Sequence, residues 1–98
     1  MANSLNNAPI VIDRRMTDAA RGNCDALFDL GICYSTGTAG VAIDLIEAHK
    51  WFNLAAVAGL GEAADARTEI AGNMTARQIA EAQRQARAWI GSTQRRAA

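Results

Sequence analysis

Apolar residues recur along the chain at intervals of three and four, which is the spacing of one face of an α-helix. The clearest case precedes Gly59, where the repeating apolar residues are Leu45, Ala48, Trp51, Phe52, Ala55 and Ala56. Asp44 stands just before this set and can accept hydrogen bonds from the first free amides of a helix, with Glu47 three residues later as in a capping box. The pattern predicts a helix that begins after Asp44 and ends at Gly59.

The same spacing predicts three more main helices and a short N-terminal one. The last main helix has the clearest start, because Thr75 and Gln78 form a capping box between two apolar residues, Met74 and Ile79. The other predicted helices cover about residues 24–35 and 62–71, with the short one between residue 10 or 13 and residue 21. We predict an all-α fold.

The ends of the chain lack this periodicity. Residues 1–9 are polar and rich in asparagine, so we predict a disordered lead-in, and residues 92–98 are predicted to form a flexible basic tail. The 98 residues are enough for one domain, which we place at residues 10–91.

Composition adds how the helices should pack. Alanine supplies 22 of the 98 residues and is the best helix former, whereas the only proline is Pro9. A core with so many small side chains requires helices whose backbones pass close together. We expect Gly31 and Ala55 to be two such contact points, where leucine would overpack the core and destabilise the fold by ~1–3 kcal/mol.

Charge argues against a general binder of nucleic acids or membrane surfaces, because ten basic and ten acidic residues cancel. Their distribution is uneven. Residues 72–98 hold five arginines and one acid, Glu81, a net charge of +4 that leaves −4 for the rest. Association with nucleic acid therefore stays a weaker alternative, through Arg77, Arg84, Arg87, Arg95 and Arg96.

The expected compartment is the cytoplasm. The first residues show neither the leading positive charge nor the apolar run of a signal peptide, and no segment approaches the ~18 apolar residues of a membrane span. Cys24 and Cys33 are expected to be free thiols, since nine residues on one helix separate Cα atoms by ~13 Å, too far for a disulfide.

No catalytic, cofactor-binding or metal-binding set stands out. His49, the only histidine, has no nucleophile or orienting carboxylate at a recognisable spacing, so we expect a structural histidine at the surface or half-buried. The cysteines lack a C-x-x-C pairing, and the loop from Gly37 to Gly40 lacks the Lys-Ser/Thr end of a phosphate-binding loop. We therefore expect a protein that is not an enzyme.

An internal repeat organises the helices. The pattern Ala-x2-Gly-x3-Ala begins at Ala19 and again at Ala56, an offset of 37 residues. Ala-x2-Trp begins at Ala48 and again at Ala86, an offset of 38. Small residues and tryptophan returning at one period indicate helix pairs that bury their faces by stacking.

The residues of the best-patterned pair resemble the Sel-one-like repeat, a relative of the tetratricopeptide repeat. They are Ala26, Leu30, Gly31, Tyr34 and Gly37, then Gly40, Val41, Asp44, Ala48, Trp51, Ala55, Ala56, Gly59 and Ala63. One departure is that Thr38 and Ala39 separate two loop glycines that one residue separates in the family. The resemblance implies a short right-handed α/α solenoid of helix hairpins, with a full repeat at 24–59 and a degenerate capping repeat at 61–91.

In tetratricopeptide-like stacks the first helix of each pair lines a concave groove. The resemblance therefore implies an acidic groove with an apolar floor, lined by Asp25, Phe28, Ile32, Ser35, Glu62, Asp65 and Glu69. Such a groove suits a basic or amphipathic peptide, with Phe28 and Ile32 as anchors. The competing interpretation is that these carboxylates only keep the surface soluble.

The function that the resemblance implies is a protein interaction module or adaptor without enzymatic activity, in a bacterial-type cytoplasm. The alternative is a structural domain that self-associates, since a short array leaves apolar ends exposed and these could join two copies.

Overall fold

The chain folds into five α-helices in a computed structural model that describes the backbone of residues 4–97 and the side chains of residues 11–94. The helices are α1 (Ser4–Ala20), α2 (Cys24–Thr36), α3 (Leu45–Val57), α4 (Gly61–Ala71) and α5 (Ala76–Ala97). No strand occurs within this described part. The all-α prediction is confirmed, and the main helices begin and end within two residues of the predicted positions except at the C-terminus of α5.

Both terminal helices are longer than predicted. Helix α1 begins at Ser4, so it includes residues 4–9 of the predicted lead-in, and α5 continues through residues 92–97 of the predicted tail. Once a helix is nucleated, each added residue gains a hydrogen bond at little further cost, so helices extend beyond their packed stretch. Residues 1–3 of the lead-in and the side chains of residues 95–98 lie outside the described part.

Helix α3 is the centre of the molecule. Helices α2, α4 and α5 each pack against it, and α1 packs against α2. Helices α4 and α5, which form the predicted degenerate repeat, share few contacts with each other. They therefore do not pack as a hairpin in the way that α2 and α3 do. The repeat pattern therefore describes α2 and α3 better than it describes α4 and α5.

Small side chains line the contacts around α3, as the composition predicts. Ala48, Ala55, Ala63 and Ala82 are completely buried. The large residues of the core are few: Leu30, Trp51 and Phe52 are the bulkiest fully buried ones. Trp51 meets Trp89 of α5 edge to face, with ring centroids 4.8 Å apart, so one aromatic pair joins α3 to α5.

Gly31 is the predicted point of close approach between α2 and α3. A Cβ atom at this position would lie 2.5 Å from Cε1 of Phe52, well inside van der Waals contact. The Phe52 ring is buried, so an added methyl group would displace it from its present packing. The presence of Gly31 in the middle of α2 is thus explained by the Phe52 ring of α3, which packs against its Cα.

The α2–α3 loop turns sharply because three of its residues adopt positive φ. Gly37 ends α2 in the left-handed conformation with φ 71°, and its amide donates to the carbonyl of Cys33. Ala39 and Gly40 follow with φ of 57° and 84°. The loop has one residue more between Gly37 and Gly40 than the repeat family has, and the left-handed conformations of Ala39 and Gly40 accommodate it. The amide of Asp44 then donates to the carbonyl of Tyr34 at 2.9 Å.

Candidate functional site

A cavity of about 320 Å³ opens between α2 and α4. Its walls are Ile32, Ser35 and Thr36 from α2 and Ala66, Glu69 and Ile70 from α4, with Phe52 of α3 as its floor. Three of the predicted groove residues therefore meet at one cavity: Ile32, Ser35 and Glu69. Below, this cavity with its rim is called the α2/α4 groove.

The floor of the groove is aromatic. Phe52 is 1% exposed, and its ring packs against the ring of Phe28 with centroids 5.4 Å apart and a tilt of 47°. Phe28, predicted as an anchor, is half-buried and supports Phe52 rather than lining the cavity itself. The predicted anchor that remains available is Ile32, which is 38% exposed.

The α2 wall carries two hydroxyl groups. The hydroxyls of Ser35 and Thr36 both donate to the carbonyl of Ile32, at 3.1 and 2.7 Å, and the Thr36 oxygen also lies 3.1 Å from the Thr38 hydroxyl. Because these donors are already used within the helix, the Ser35 oxygen faces a ligand mainly as an acceptor. The arrangement favours a ligand that supplies donors, such as a cationic side chain.

The remaining predicted acids lie outside the cavity. Asp25 is exposed in the first turn of α2, and Glu62 and Asp65 are exposed on α4. None of the three lines the cavity, which has Glu69 as its single charged residue. One of the four predicted acids, Glu69 of α4, therefore lies at the cavity, while Asp25 lies at the far end of α2.

The predicted groove set lacks the floor, Thr36 of α2 and two of the three α4 residues. Phe52 stands in the sequence as one of the repeating apolar residues of α3, and its ring closes the groove from below. Ala66 and Ile70 are four residues apart and follow Glu62 along one face of α4. That i, i+4 spacing beside the acidic positions was the signal that could have identified them.

A second cavity of about 240 Å³ lies where the ends of α1, α3 and α5 meet. Among residues 11–94 its lining carries no charge and consists of Ala19, Ala20, Gly22, Leu27, Leu54, Val57, Ala58, Trp89, Ile90, Thr93 and Gln94. At its edge Val57 is 69% exposed, the largest exposed fraction among the bulky apolar residues described. We call this the apolar cavity.

His49 is more buried than expected. It is 3% exposed, and its Nδ1 has no hydrogen-bond partner in the part of the chain that the structure describes. The reason is that α2, α4 and α5 all pack against α3. Positions of α3 that would face solvent in an isolated helix pair are therefore covered. Burial, followed by the nearby charge of Arg67, lowers the pKa of His49, so the imidazole is neutral at pH 7.

The charged group that acts on His49 is Arg67 of α4. Arg67 donates to the side-chain carbonyl of Asn53 at 2.6 Å, which fixes the cation against α3. Within the described residues no group of three or more potential metal ligands occurs. Cys24 is half-buried and Cys33 is buried, and both are free thiols as predicted.

Over residues 4–97, none of the helices combines the length and the apolar character needed to cross a membrane. No protein-family model, curated protein or solved structure matches the chain significantly. The resemblance to the Sel-one-like repeat therefore rests on the motif residues themselves.

Proposed function

We propose that the protein is an interaction module without enzymatic activity, and that it binds a basic or amphipathic segment of another protein in the α2/α4 groove. The observation that carries this proposal is the cavity of about 320 Å³ with an aromatic floor and Glu69 at its wall. A pocket that accepts one apolar anchor, beside a charge that orients the ligand, is the usual form of a protein interaction hot spot.

The charges around the groove favour a cationic ligand. Glu62, Asp65 and Glu69 are all exposed on α4, and no ion pair joins them to residues 11–94. One cation of α3 and one of α4 are engaged elsewhere, since Lys50 pairs with Glu47 at 2.9 Å and Arg67 donates to Asn53. A lysine or arginine of the ligand would meet carboxylates that have no competing partner among these residues.

The proposed architecture is a short right-handed solenoid in which α2 and α3 form the complete repeat. Support comes from the α2–α3 hairpin, its Gly31 contact and the capped ends at Asn23 and Asp44. In such an array α2 and α4 would be the groove-forming helices, and the cavity does lie between these two. A cytoplasmic location fits the two free thiols.

Self-association as a structural domain is the second candidate function. The apolar cavity favours it, because its lining is uncharged and Val57 is widely exposed beside it. Exposed apolar patches of this kind mark interaction surfaces, and an uncharged one can face its own copy without repulsion.

The groove is tested with a fluorescent helical peptide made of leucine and lysine at amphipathic spacing. Binding is measured by fluorescence anisotropy in low salt, with a peptide in which glutamate replaces lysine as the matched control. We expect the basic peptide to bind and the acidic one to fail. The variant Asp65→Lys with Glu69→Lys, which reverses the charge at the cavity wall and beside it, should weaken binding about tenfold, since close charge pairs dominate such recognition.

A control variant keeps the same change of net charge at another place. Asp13→Lys with Asp18→Lys alters α1, which takes no part in the groove. The proposal predicts that this variant binds the peptide as well as the native protein does. Equal binding by the Asp65/Glu69 variant and the native protein would show that the groove is not the site.

A further inference from the structure

Helix α4 exposes a regular row of carboxylates. Glu62, Asp65 and Glu69 are all exposed, at positions i, i+3 and i+7. At 100° per residue they fall within about 60° of one another around the helix, and the first and last are ~10.5 Å apart along its axis. This acidic row borders the α2/α4 groove through Glu69.

Helix α5 exposes a row of arginines. Arg77, Arg84 and Arg87 are exposed and fall within about 80° of one another around the helix. Ala80 and Ala88 are exposed on the same side and alternate with the arginines. The apolar stems of the arginines can lie along a groove while their guanidinium groups reach its acidic rim.

The opposite face of α5 is already used within the chain. Ala82 and Ala86 are buried, and Trp89 packs against Trp51 of α3. The arginine row therefore faces outward, and α5 shares few contacts with α4 of the same chain. Glu81 holds Arg84 in an exposed ion pair of 2.6 Å, while Arg77 and Arg87 have no ion pair with residues 11–94.

The two rows are opposite in charge and share spacings along the helix axis. Glu62 and Glu69 are seven residues apart, as are Arg77 and Arg84, so each pair spans ~10.5 Å. Asp65 follows Glu62 by three residues, and Arg87 follows Arg84 by three. Two straight helices laid side by side can therefore place two charges of one row opposite two of the other.

We propose that the segment bound in the α2/α4 groove is the arginine face of α5 from a second copy of this chain. The proposal rests on the function proposed above and names its partner. Contact between a groove and a different face is heterologous. It closes into a dimer only if the α5 face of each copy docks in the groove of the other, and otherwise it adds further copies.

The first experiment measures mass by light scattering on the full chain over a range of concentrations up to about 1 mM, where weak association is visible. We expect a mass above the 10.4 kDa of one chain in low salt. In about 1 M salt the Debye length falls to ~3 Å, and the mass should return towards one chain. A single-chain mass at every concentration in low salt would overturn the proposal.

The second experiment exchanges the charges. The acidic-row variant is Glu62→Lys with Asp65→Lys, and the basic-row variant is Arg77→Glu with Arg87→Glu, which leaves the Glu81–Arg84 pair intact. Each variant alone should associate about tenfold more weakly than the native chain, as expected for several exposed charge pairs. An equimolar mixture of the two should associate again, because each offers the row that the other now complements.

Three controls separate the outcomes. Far-ultraviolet circular dichroism verifies that both variants remain helical, and Asp13→Lys with Asp18→Lys should associate as the native chain does. Val57→Asp changes the apolar cavity alone, so loss of association in this variant, with both charge variants unaffected, would overturn the proposal in favour of the apolar cavity.

The leucine-lysine peptide distinguishes the two proposals. If the peptide binds the groove while the chain stays monomeric, the partner inferred here is wrong and the interaction module stands. If neither the peptide nor a second copy binds, both proposals fail.

Discussion

Individual residues in this chain are constrained most where helices touch. Gly31 lies under the Phe52 ring, which in turn packs against Phe28. One glycine thus sets the distance between α2 and α3, and through Phe52 it also sets the depth of the α2/α4 groove. The cost of a glycine in a helix, up to ~1 kcal/mol relative to alanine, is offset by this packing.

Substitution of Gly31 by alanine should destabilise the fold by ~1–3 kcal/mol, because the added methyl overlaps a buried ring. The matched control is Gly91→Ala, where nothing lies within 4 Å of an added Cβ, and which should stabilise the fold by up to ~1 kcal/mol through helix propensity. Urea unfolding followed by circular dichroism measures both. Equal effects at the two glycines would show that the Phe52 contact is not restrictive.

His49 should make the fold less stable in mild acid. Burial, and then the charge of Arg67, lower the pKa of His49 in the folded chain below its ordinary value of 6.5. Between the folded-state pKa and about pH 6.5 the unfolded chain therefore binds more protons than the folded chain does. The free energy of unfolding is therefore unaffected by His49 above about pH 6.5 and falls as the pH drops below it. The total loss is about 1.4 kcal/mol for each unit by which the folded-state pKa lies below the unfolded-state pKa.

The test compares the native chain with His49→Gln, measuring the free energy of unfolding from about pH 8 to about pH 5. Because His49 is the only histidine, the variant isolates its contribution. We expect a smaller loss of stability with acid in the variant. Parallel curves for the two proteins would mean that His49 titrates normally in the folded state.

At the scale of whole elements, local signals set where most helices begin. Asn23 and Asp44 accept from the amides of Ala26 and Glu47, each three residues on. In the predicted capping box of α3 the second half is missing, since the Asp44 amide donates to Tyr34 and Glu47 instead accepts from the Trp51 indole at 3.1 Å. The carbonyl of Tyr34 in α2 thus takes the Asp44 amide, and Glu47 bonds instead within its own helix to a core tryptophan.

The capping box of α5 is complete, with Thr75 and Gln78 exchanging hydrogen bonds of 2.8 and 3.1 Å. Thr75→Ala should therefore cost ~1 kcal/mol of stability. Thr68→Ala on the exposed side of α4 is the control and should change stability by less than about 0.5 kcal/mol. Thermal unfolding in parallel decides the point, and an equal change at both sites would contradict a capping role for Thr75.

At the scale of the molecule, one core surrounds α3. Its buried residues come from all five helices, including Ala19 of α1, Leu30 of α2, Ala63 of α4 and Ala86 of α5 around Trp51. Because α3 supplies contacts to three other helices, both cavities lie beside it: Phe52 closes the α2/α4 groove, and Leu54 and Val57 line the apolar cavity.

Local sequence signals determined the all-α class, the starts of α2, α3 and α5, and the close approach at Gly31. These follow from side chains acting on neighbouring backbone, such as Thr75 on the amide of Gln78, and from an apolar period that each helix carries in its own residues. Part of the groove could also be predicted, because Ile32, Ser35 and Glu69 occupy outward positions on helices whose relation the repeat implied.

Only the tertiary structure decided the rest. It placed Phe52 at the floor of the groove, buried His49, left Phe28 behind the floor and kept α4 apart from α5. These outcomes depend on how several helices surround α3 at once. A helical period specifies which face of one helix is apolar, but the number of neighbours that cover the remaining faces is set by packing between segments far apart in the chain.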